Sequence, residues 1–388
     1  MSRAVQKEIE YHGFEQGPIR PPSEAGSLLI RITRNCPWNR CTFCPVYKGS
    51  DFSLRPVEHV LEDINRVHHY VLELRERTEK NDKMNPADIE LLRSPDGDDD
   101  RTARNAALNW ASAGMQSVFL QDANSLVIKP ERLLTILRHL KRCFPWVARI
   151  TSYARSHTIA RISDHNLQLM AAAGLSRIHI GMESGSDKVL ARVRKGVDKT
   201  THIIAGKKVK QAGMELSEYI MPGLGGRELS EEHALESADA LNWINPDFIR
   251  LRTLAIPDHV ELYGELQKGE FQKISDVETA REILTFLQAL EGITSIVKSD
   301  HILNLFDNLE GQYPGDKQKM VSIVKGFLEL GPLEQMLYQV GRRMGLFRTL
   351  DDMDNRTKRQ HVEQACQRAG INPGNVDEAI EQLMKRFI

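Results

Sequence analysis

The stretch RNCPWNRCTFCPVYKG, residues 34–49, carries three of the five cysteines of this 388-residue chain. Cys36, Cys41 and Cys44 follow the spacing Cys-x4-Cys-x2-Cys. Thiolates are the ligands that iron–sulfur clusters prefer, and three of them leave one iron of a four-iron cube open to another molecule. The loop therefore predicts a 4Fe–4S cluster held by these three side chains.

Two other interpretations fit the same spacing. A structural zinc site needs a fourth ligand and commonly joins two close cysteine pairs, and the nearest histidine, His59, does not stand at motif spacing. Three structural cysteines without a metal are the second alternative. The isolated Cys143 and Cys366 are expected to be buried as small apolar side chains. Both alternatives stay open on the spacing alone.

The cysteine loop follows LLIRITR, residues 28–34, a β-branched segment that predicts a strand. Further strands are predicted at 116–121, 147–153, 176–182, 215–222 and 247–255. Helices are predicted at 56–80, 104–113, 130–143, 163–173, 198–212 and 230–243. Six strands that alternate with helices indicate an α/β fold with a parallel sheet and right-handed crossovers.

The pattern changes after Pro257 and becomes mostly helical. Helices are predicted at 260–268, 277–290, 301–308, 316–329, 332–345, 356–369 and 375–387, with one more short strand in ITSIVKS, residues 293–299. The polar segment 81–103, which contains the run Asp98–Asp100, predicts a solvated insertion rather than a metal site. We divide the chain into an N-terminal arm (1–27), a barrel domain (28–260) and a helical C-terminal region (261–388).

The charge balance and hydrophobicity of the sequence indicate which kinds of partner the protein binds. Lys and Arg total 52 against 53 Asp and Glu, so the formal net charge is −1 and gives no electrostatic attraction to nucleic acid or acidic membranes. No run of 18 apolar residues is present, and the N-terminal residues lack the apolar core of a signal peptide. We expect a cytoplasmic protein that acts on a small molecule.

The cysteine loop and the strand–helix pattern resemble the radical S-adenosylmethionine (SAM) superfamily over residues 28–260. That family usually has Cys-x3-Cys-x2-Cys, so one residue is added here between the first two cysteines. The segments GMESGS (181–186) and IRLRTL (249–254) resemble the branch around oxygen-independent coproporphyrinogen oxidase. The methylthiotransferase branch needs three further cysteines for a second cluster, and this chain has two.

The resemblance implies a partial (β/α)6 TIM-like barrel with a mostly helical C-terminal region. It implies reductive cleavage of SAM at a 4Fe–4S cluster to a 5′-deoxyadenosyl radical, which abstracts hydrogen from an unidentified substrate. A reductase such as flavodoxin or ferredoxin would supply the electron. The alternative is an iron–sulfur or zinc-binding scaffold, or an electron-transfer protein, that does not cleave SAM.

The resemblance also implies ligands for SAM. Phe43 precedes the last cysteine, where the family places an aromatic residue near the adenine. Gln121, Asp122 and Asn124, in LQDANSL at the end of the second strand, stand where the family binds the amino group. A turn or helix-cap cluster is the alternative for this segment, because Asp and Asn favour both. Ser152 is delivered by the third strand.

The fourth strand leads into a Gly-x-Glu-Ser-Gly segment that is common in the family. Glu183 and Ser184 stand where ribose hydroxyls or the methionine moiety would be held, and Gly185 permits a close backbone approach. Arg194 follows and would pair with the methionine carboxylate. A solvated helix face shared with Arg192 and Lys195 is the alternative for Arg194.

Two later segments supply further candidates. The sixth strand brings Arg250 and Arg252 at alternate positions, and Arg252 is expected to meet substrate or to form a structural ion pair. The segment SDHILN, residues 299–304, places Ser299, Asp300 and His301 at the open end of the barrel or at a helix N-cap.

Overall fold

Eight strands form one sheet in the computed structural model of this chain, which describes residues 10–80 and 100–384. The strands are β1 (Leu28–Arg31), β4 (Ser117–Gln121), β5 (Arg149–Tyr153), β6 (Leu175–Glu183), β7 (Glu215–Ile220), β8 (Phe248–Leu251), β9 (Ile296–Lys298) and β10 (Gly311–Gln312). They are ordered β1-β4-β5-β6-β7-β8-β9-β10. Each pair from β1 to β9 is parallel, and β10 is antiparallel to β9. The predicted α/β class with a parallel sheet is therefore confirmed.

Helices connect the parallel strands. In the first part of the chain they are α1 (Val57–Lys80), α2 (Arg101–Ser112), α3 (Pro130–Cys143), α4 (Ser156–Arg161), α5 (Asp164–Ala172), α6 (Asp187–Arg192), α7 (Lys199–Gln211) and α8 (Gly226–Ile244). The later helices are α9 (Glu261–Gln267), α10 (Asp276–Ala289), α11 (Lys317–Leu328), α12 (Pro332–Arg343), α13 (Arg356–Ala369) and α14 (Val376–Met384). Single 3-10 turns lie at Pro22–Glu24, Ser125–Val127 and Leu350–Asp354.

The main core lies between the sheet and its helices. Alternate strand residues such as Ile30, Val118 and Ile178 are fully buried. They join one hydrophobic cluster with helix residues such as Ile64 and Leu137. Because side chains alternate across a strand, the intervening positions point to the opposite face of the sheet, where the polar residues of the candidate site lie.

The sheet is open, since its order begins at β1 and ends at β10. Side chains at or just after the ends of β4 to β8 nevertheless line one common cavity, so the sheet curves around it as a partial barrel. The predicted segment 28–34 is interrupted at Ile32. Its second part, β2 (Thr33–Arg34), pairs antiparallel with β3 (Ser53–Leu54) at the two ends of the cysteine loop.

The predicted helix at 301–308 is wrong, because these residues form a loop. The amide of Asn304 accepts from the backbone N–H of Thr253 (2.9 Å) and donates to the carbonyl of Leu251 (2.8 Å). These tertiary hydrogen bonds hold the loop against β8 and replace the bonds that a helix would make. The additional strand predicted in ITSIVKS is present as β9.

The expectation for Asp100 also needs correction. Its carboxylate caps α2 by accepting from the N–H of Ala103 (3.0 Å) and also accepts from the N–H of Phe14 (3.0 Å). Asp100 is therefore a structural cap rather than part of a solvated acidic run. The rest of the predicted insertion, residues 81–99, lies outside the described residues.

The division of the chain at residue 260 stays a prediction. The sheet continues past that point through β9 and β10, and α10 packs against α8. Within residues 10–80 and 100–384, no helix is long and apolar enough to cross a membrane.

Candidate active site

A cavity of about 680 Å³ opens at the carboxyl ends of the parallel strands. Its volume lies within the range of pockets that bind small molecules. The strand ends contribute Gln121, Tyr153, Glu183, Tyr219 and Arg252. Carboxyl ends of parallel strands are where α/β barrels carry their chemistry, so this cavity is the candidate active site.

The cysteine loop forms one wall of this cavity. Cys36, Cys41 and Cys44 are free thiols, and all three line it. The loop is fixed between two neighbours: the N–H of Thr42 donates to the carbonyl of Val193 (3.1 Å), and its carbonyl accepts from Leu262 (3.0 Å). The three thiols are therefore held together on one side of the space.

Cations lie beside these thiols. Burial raises the pKa of the Cys41 and Cys44 thiols, while the charges of Lys195 and, for Cys41, Arg155 lower it. The Arg155 guanidinium lies 5.0 Å from the ring centroid of Trp38 and donates to the carbonyl of Lys195 (2.7 Å). Burial is the larger effect, so the pKa of both thiols is raised, and the neighbouring cations offset part of that increase.

This donor set fits a 4Fe–4S cluster. Each thiolate would bind a different iron, and the cavity beyond the loop would accept whatever binds the fourth iron. Across the described part of the chain, no three His, Cys, Asp or Glu side chains converge closely enough to hold a single metal ion. A cluster makes no such demand, because its ligands are spread over several irons.

Glu183 and Lys195 form an ion pair inside the cavity, with Nζ of Lys195 3.1 Å from Oε1 of Glu183. Burial alone would lower the pKa of Lys195, but Glu183 and Cys41 raise it above its ordinary value. Lys195 is therefore a largely buried residue, 13% exposed and paired with a carboxylate, rather than part of a solvated helix face. The sequence interpretation missed it, since the basic run around it favours an exposed helix.

Phe43, Gln121 and Glu183 are the predicted SAM ligands that line the cavity. The side-chain amide of Gln121 forms hydrogen bonds with the backbone of the N-terminal arm. It accepts from the N–H of Gly17 (2.8 Å) and donates to the carbonyls of Gly17 (3.1 Å) and Ile19 (2.6 Å). In this structure Gln121 therefore fastens the arm.

Asp122 and Asn124 are buried and do not line the cavity. Asp122 pairs with Arg31 (2.7 Å) and accepts from the hydroxyl of Tyr47 (2.9 Å). Asn124 accepts from the backbone N–H of Arg155 (3.1 Å). Both side chains hold residues that do line the cavity, namely Tyr47 and Arg155.

Ser152 and Ser184 are also buried outside the cavity lining. The Ser152 hydroxyl donates to the carbonyl of Tyr153 (3.0 Å), and the Ser184 hydroxyl lies 2.8 Å from Nδ1 of His233. Arg194 is 61% exposed and pairs with Glu261 (2.7 Å). The structure thus does not bring these three predicted residues into the cavity.

The Gly-x-Glu-Ser-Gly segment has a packing role at its second glycine. The N–H of Gly185 donates to the hydroxyl of Ser237 on α8 (2.8 Å). A Cβ atom at position 185 would lie well under 3.0 Å from the carbonyl oxygen of Glu236. The close backbone approach expected at Gly185 is therefore made to a helix.

His202 is a cavity residue that the sequence did not indicate. It lies in the first turn of α7, is buried, and places Nδ1 2.7 Å from the hydroxyl of Ser156. Burial lowers its pKa to about 3, so the imidazole is neutral at pH 7. No sequence motif signalled this residue. Tyr219, by contrast, could have been inferred from the period of two in its strand.

The N-terminal arm closes one side of the cavity through residues 16–20. Just before this segment, Glu15 forms ion pairs with Arg31 (2.6 Å), Arg34 (2.8 Å) and Arg55 (3.4 Å). The arm is thus anchored to β1, to β2 and to the segment that precedes α1. It is part of the site.

The chain matches no family model. It is similar to the tRNA uridine(34) acetyltransferase of Methanocaldococcus infernus, with 22% identity over 129 residues. This match spans 33% of the chain and only 24% of the relative.

Solved structures are similar at low identity. Elp3 of Methanocaldococcus infernus with an N-terminal deletion is 16% identical, with 58% of this chain and 57% of that chain covered and a TM-score of 0.42. Coproporphyrinogen III oxidase (HemN) from Escherichia coli, described as a radical SAM enzyme, is 13% identical over 68% and 52%, with a TM-score of 0.44. The fold itself rests on the strand pairing described above.

Proposed function

We propose that this chain is a radical SAM enzyme, which holds a 4Fe–4S cluster on Cys36, Cys41 and Cys44 and binds SAM in the adjoining cavity. The observation that carries the proposal is that three free thiols line one wall of the cavity at the strand ends. When bound, the two cofactors supply a 5′-deoxyadenosyl radical that abstracts hydrogen from the substrate.

The residues of the chain orient and stabilise these groups. Arg155 and Lys195 offset the negative charge of the thiolates, because both lie next to the cysteine loop. Glu183 offers carboxylate oxygens to ribose hydroxyls or to the ammonium group of SAM, and the ion pair with Lys195 orients it. Phe43 offers its ring to the adenine.

The remaining predicted ligands receive positioning roles. Asp122 and Asn124 orient Tyr47 and Arg155, and Gln121 fastens the arm that closes the cavity. Ser152 and Ser184 stabilise the ends of β5 and β6. For Arg194, binding of the methionine carboxylate stays a prediction that requires release from Glu261.

The partners follow from the chemistry. The cavity is of small-molecule size, and water exclusion by the arm suits a radical reaction. A reductase such as flavodoxin or ferredoxin would deliver the electron, and we place this exchange in the cytoplasm, where thiols stay reduced. The balanced charge of the chain favours a small-molecule substrate over a nucleic acid.

The test is anaerobic reconstitution with iron and sulfide, followed by dithionite and SAM. The wild-type chain should bind about four iron atoms and should release 5′-deoxyadenosine. Cys36→Ala, Cys41→Ala and Cys44→Ala should each lose the cluster and the product. Cys366→Ala, a buried cysteine outside the cavity, is the matched control and should retain both.

Other outcomes identify the alternatives. A colourless protein that binds zinc would indicate the scaffold, and a cluster that cycles between redox states without cleaving SAM would indicate an electron carrier. An intact cluster in Cys41→Ala would overturn the ligand assignment.

A further inference from the structure

Arg252 is a charged residue in the wall of the cavity. It directly follows β8, and its backbone N–H donates to the carbonyl of Ile220 (2.9 Å). Its guanidinium enters no ion pair with residues 10–80 or 100–384. Arg250, two positions earlier, is buried and paired with Asp300. Of these two strand arginines, one is therefore structural and the other is available to a ligand.

His301 lines the same cavity and lies close enough to Arg252 for their charges to interact. Its Nδ1 accepts from the backbone N–H of Leu303 (3.3 Å), which assigns the proton to Nε2. Burial and the charge of Arg252 lower the pKa of His301 to about 4, so the ring is neutral at pH 7. His301 thus offers an N–H donor beside a guanidinium.

The loop that carries His301 is held in place. Asn304 accepts from the N–H and the hydroxyl of Thr253 (2.9 and 3.0 Å) and donates to the hydroxyl of Ser299 (2.9 Å). Because Arg252 and Thr253 are adjacent, these hydrogen bonds tie the His301 loop to the strand end that carries Arg252. The His301 donor therefore loses little conformational freedom when it binds an anion.

The charges around the cavity are unevenly distributed. Arg155 and Lys195 lie beside the thiols, and Lys195 is paired with Glu183. In the part of the chain that the structure describes, Glu183 is the only carboxylate that lines the cavity, and it is paired with Lys195. Arg252 therefore lines the cavity without a counterion from the described cavity residues. An arginine in this situation favours a carboxylate or phosphate, which it can bind through two parallel hydrogen bonds.

We propose that Arg252 and His301 form an oxyanion subsite, which binds a carboxylate or phosphate group of the substrate where the end of β8 and the His301 loop line the cavity. That the bound group belongs to a substrate rests on the proposed function. Anion binding itself can be measured without turnover. The methionine carboxylate of SAM is the other possible source of such a group, and the experiment separates the two.

The experiment measures the binding of two probes, inorganic phosphate and succinate, to the reconstituted protein by ligand-observed NMR. Titrations are run without SAM and with saturating SAM. Loss of a charged hydrogen bond should weaken binding of at least one probe by about tenfold or more in Arg252→Gln. Arg132→Gln, an exposed arginine on α3 outside the cavity, removes the same charge and should leave binding within about twofold.

A second pair of variants tests the histidine. His301→Phe removes the donor and should weaken binding, whereas His301→Gln keeps an N–H donor and should restore most of it. Thermal unfolding of each variant shows whether the chain is still folded. If Arg252→Gln does not fold, the two His301 variants decide the question.

Three results would overturn the proposal: no binding of either probe to the wild-type chain, equal weakening in Arg252→Gln and Arg132→Gln, or displacement of the probe by SAM. The proposed function fails separately, by the absence of 5′-deoxyadenosine. Titration of the Cys41→Ala chain with the two probes distinguishes failure of the subsite from failure of the proposed function, because the oxyanion subsite contains none of the cysteines.

Discussion

Nζ of Lys195 lies 3.1 Å from Oε1 of Glu183, and both side chains are only 13% exposed. This ion pair stands between the Gly-x-Glu-Ser-Gly segment and the cysteine loop, where Lys195 also interacts with Cys41. Glu183 therefore has a fixed orientation, and the thiols have a neighbouring positive charge. Removing either partner would leave a buried charge without compensation.

Lys195→Met should make the midpoint potential of the cluster more negative, because a positive charge next to the thiolates stabilises the reduced state. The same change should weaken SAM binding, since Glu183 loses its orientation. Redox titration and equilibrium binding measure the two effects. Lys195→Arg should retain most of both properties, and Lys188→Met, at a 70% exposed position, should change neither. An unchanged potential in Lys195→Met would refute the electrostatic role.

Gln121→Ala should loosen the N-terminal arm. The substitution removes three hydrogen bonds to Gly17 and Ile19 and should lower the free energy of unfolding by about 1–3 kcal/mol. Limited proteolysis should then cut within residues 10–27 faster than in the wild type. Gln116→Ala, at an exposed glutamine directly before β4, should leave the cleavage rate unchanged. Equal protection in both variants would mean that other contacts hold the arm.

Gly185→Ala should destabilise the fold by about 3 kcal/mol, because the added methyl group would meet the backbone of Glu236 and no side-chain rotation can relieve the overlap. Gly264→Ala is the control. Nothing lies within 4 Å of the added Cβ at this exposed helical position, so stability should stay the same or rise by up to about 1 kcal/mol. Urea unfolding measures both, and a stable Gly185→Ala chain would contradict the packing account.

His202 should make stability depend on pH. Its pKa is about 3 in the folded chain, against 6.5 for an unperturbed histidine, so unfolding takes up a proton between these values. The free energy of unfolding should therefore fall as the pH drops from 6.5, by at most about 1.4 kcal/mol per unit. Unfolding of the cluster-free chain at pH 7, 6 and 5 measures this slope.

His202→Gln, which cannot be protonated, should show a shallower slope than the wild type. His361→Gln, at an exposed histidine on α13, should keep the wild-type slope. If His202→Gln and the wild type lose stability in parallel, another group is responsible.

Much of the fold could be predicted because the relevant signals are local. The alternation of β-branched segments with helical periods identified β4 to β8 and the longer helices between them, with boundaries shifted by a few residues, but not the short helices α4 and α6. The loop at 301–308 could not be predicted in this way, because Asn304 bonds to residues about 50 positions away. A local helical pattern carries no information about such partners.

The candidate ligands of the site could be identified from the order of residues alone: three thiols at close spacing, placed directly after the first parallel strand. The spacing of ligands and the period of a strand are properties of the chain itself. Which polar groups face the cavity was settled by the packing of distant segments. That packing turned Asp122 and Asn124 toward protein partners and brought in Lys195 and His202, because the direction of a side chain depends on the elements around it.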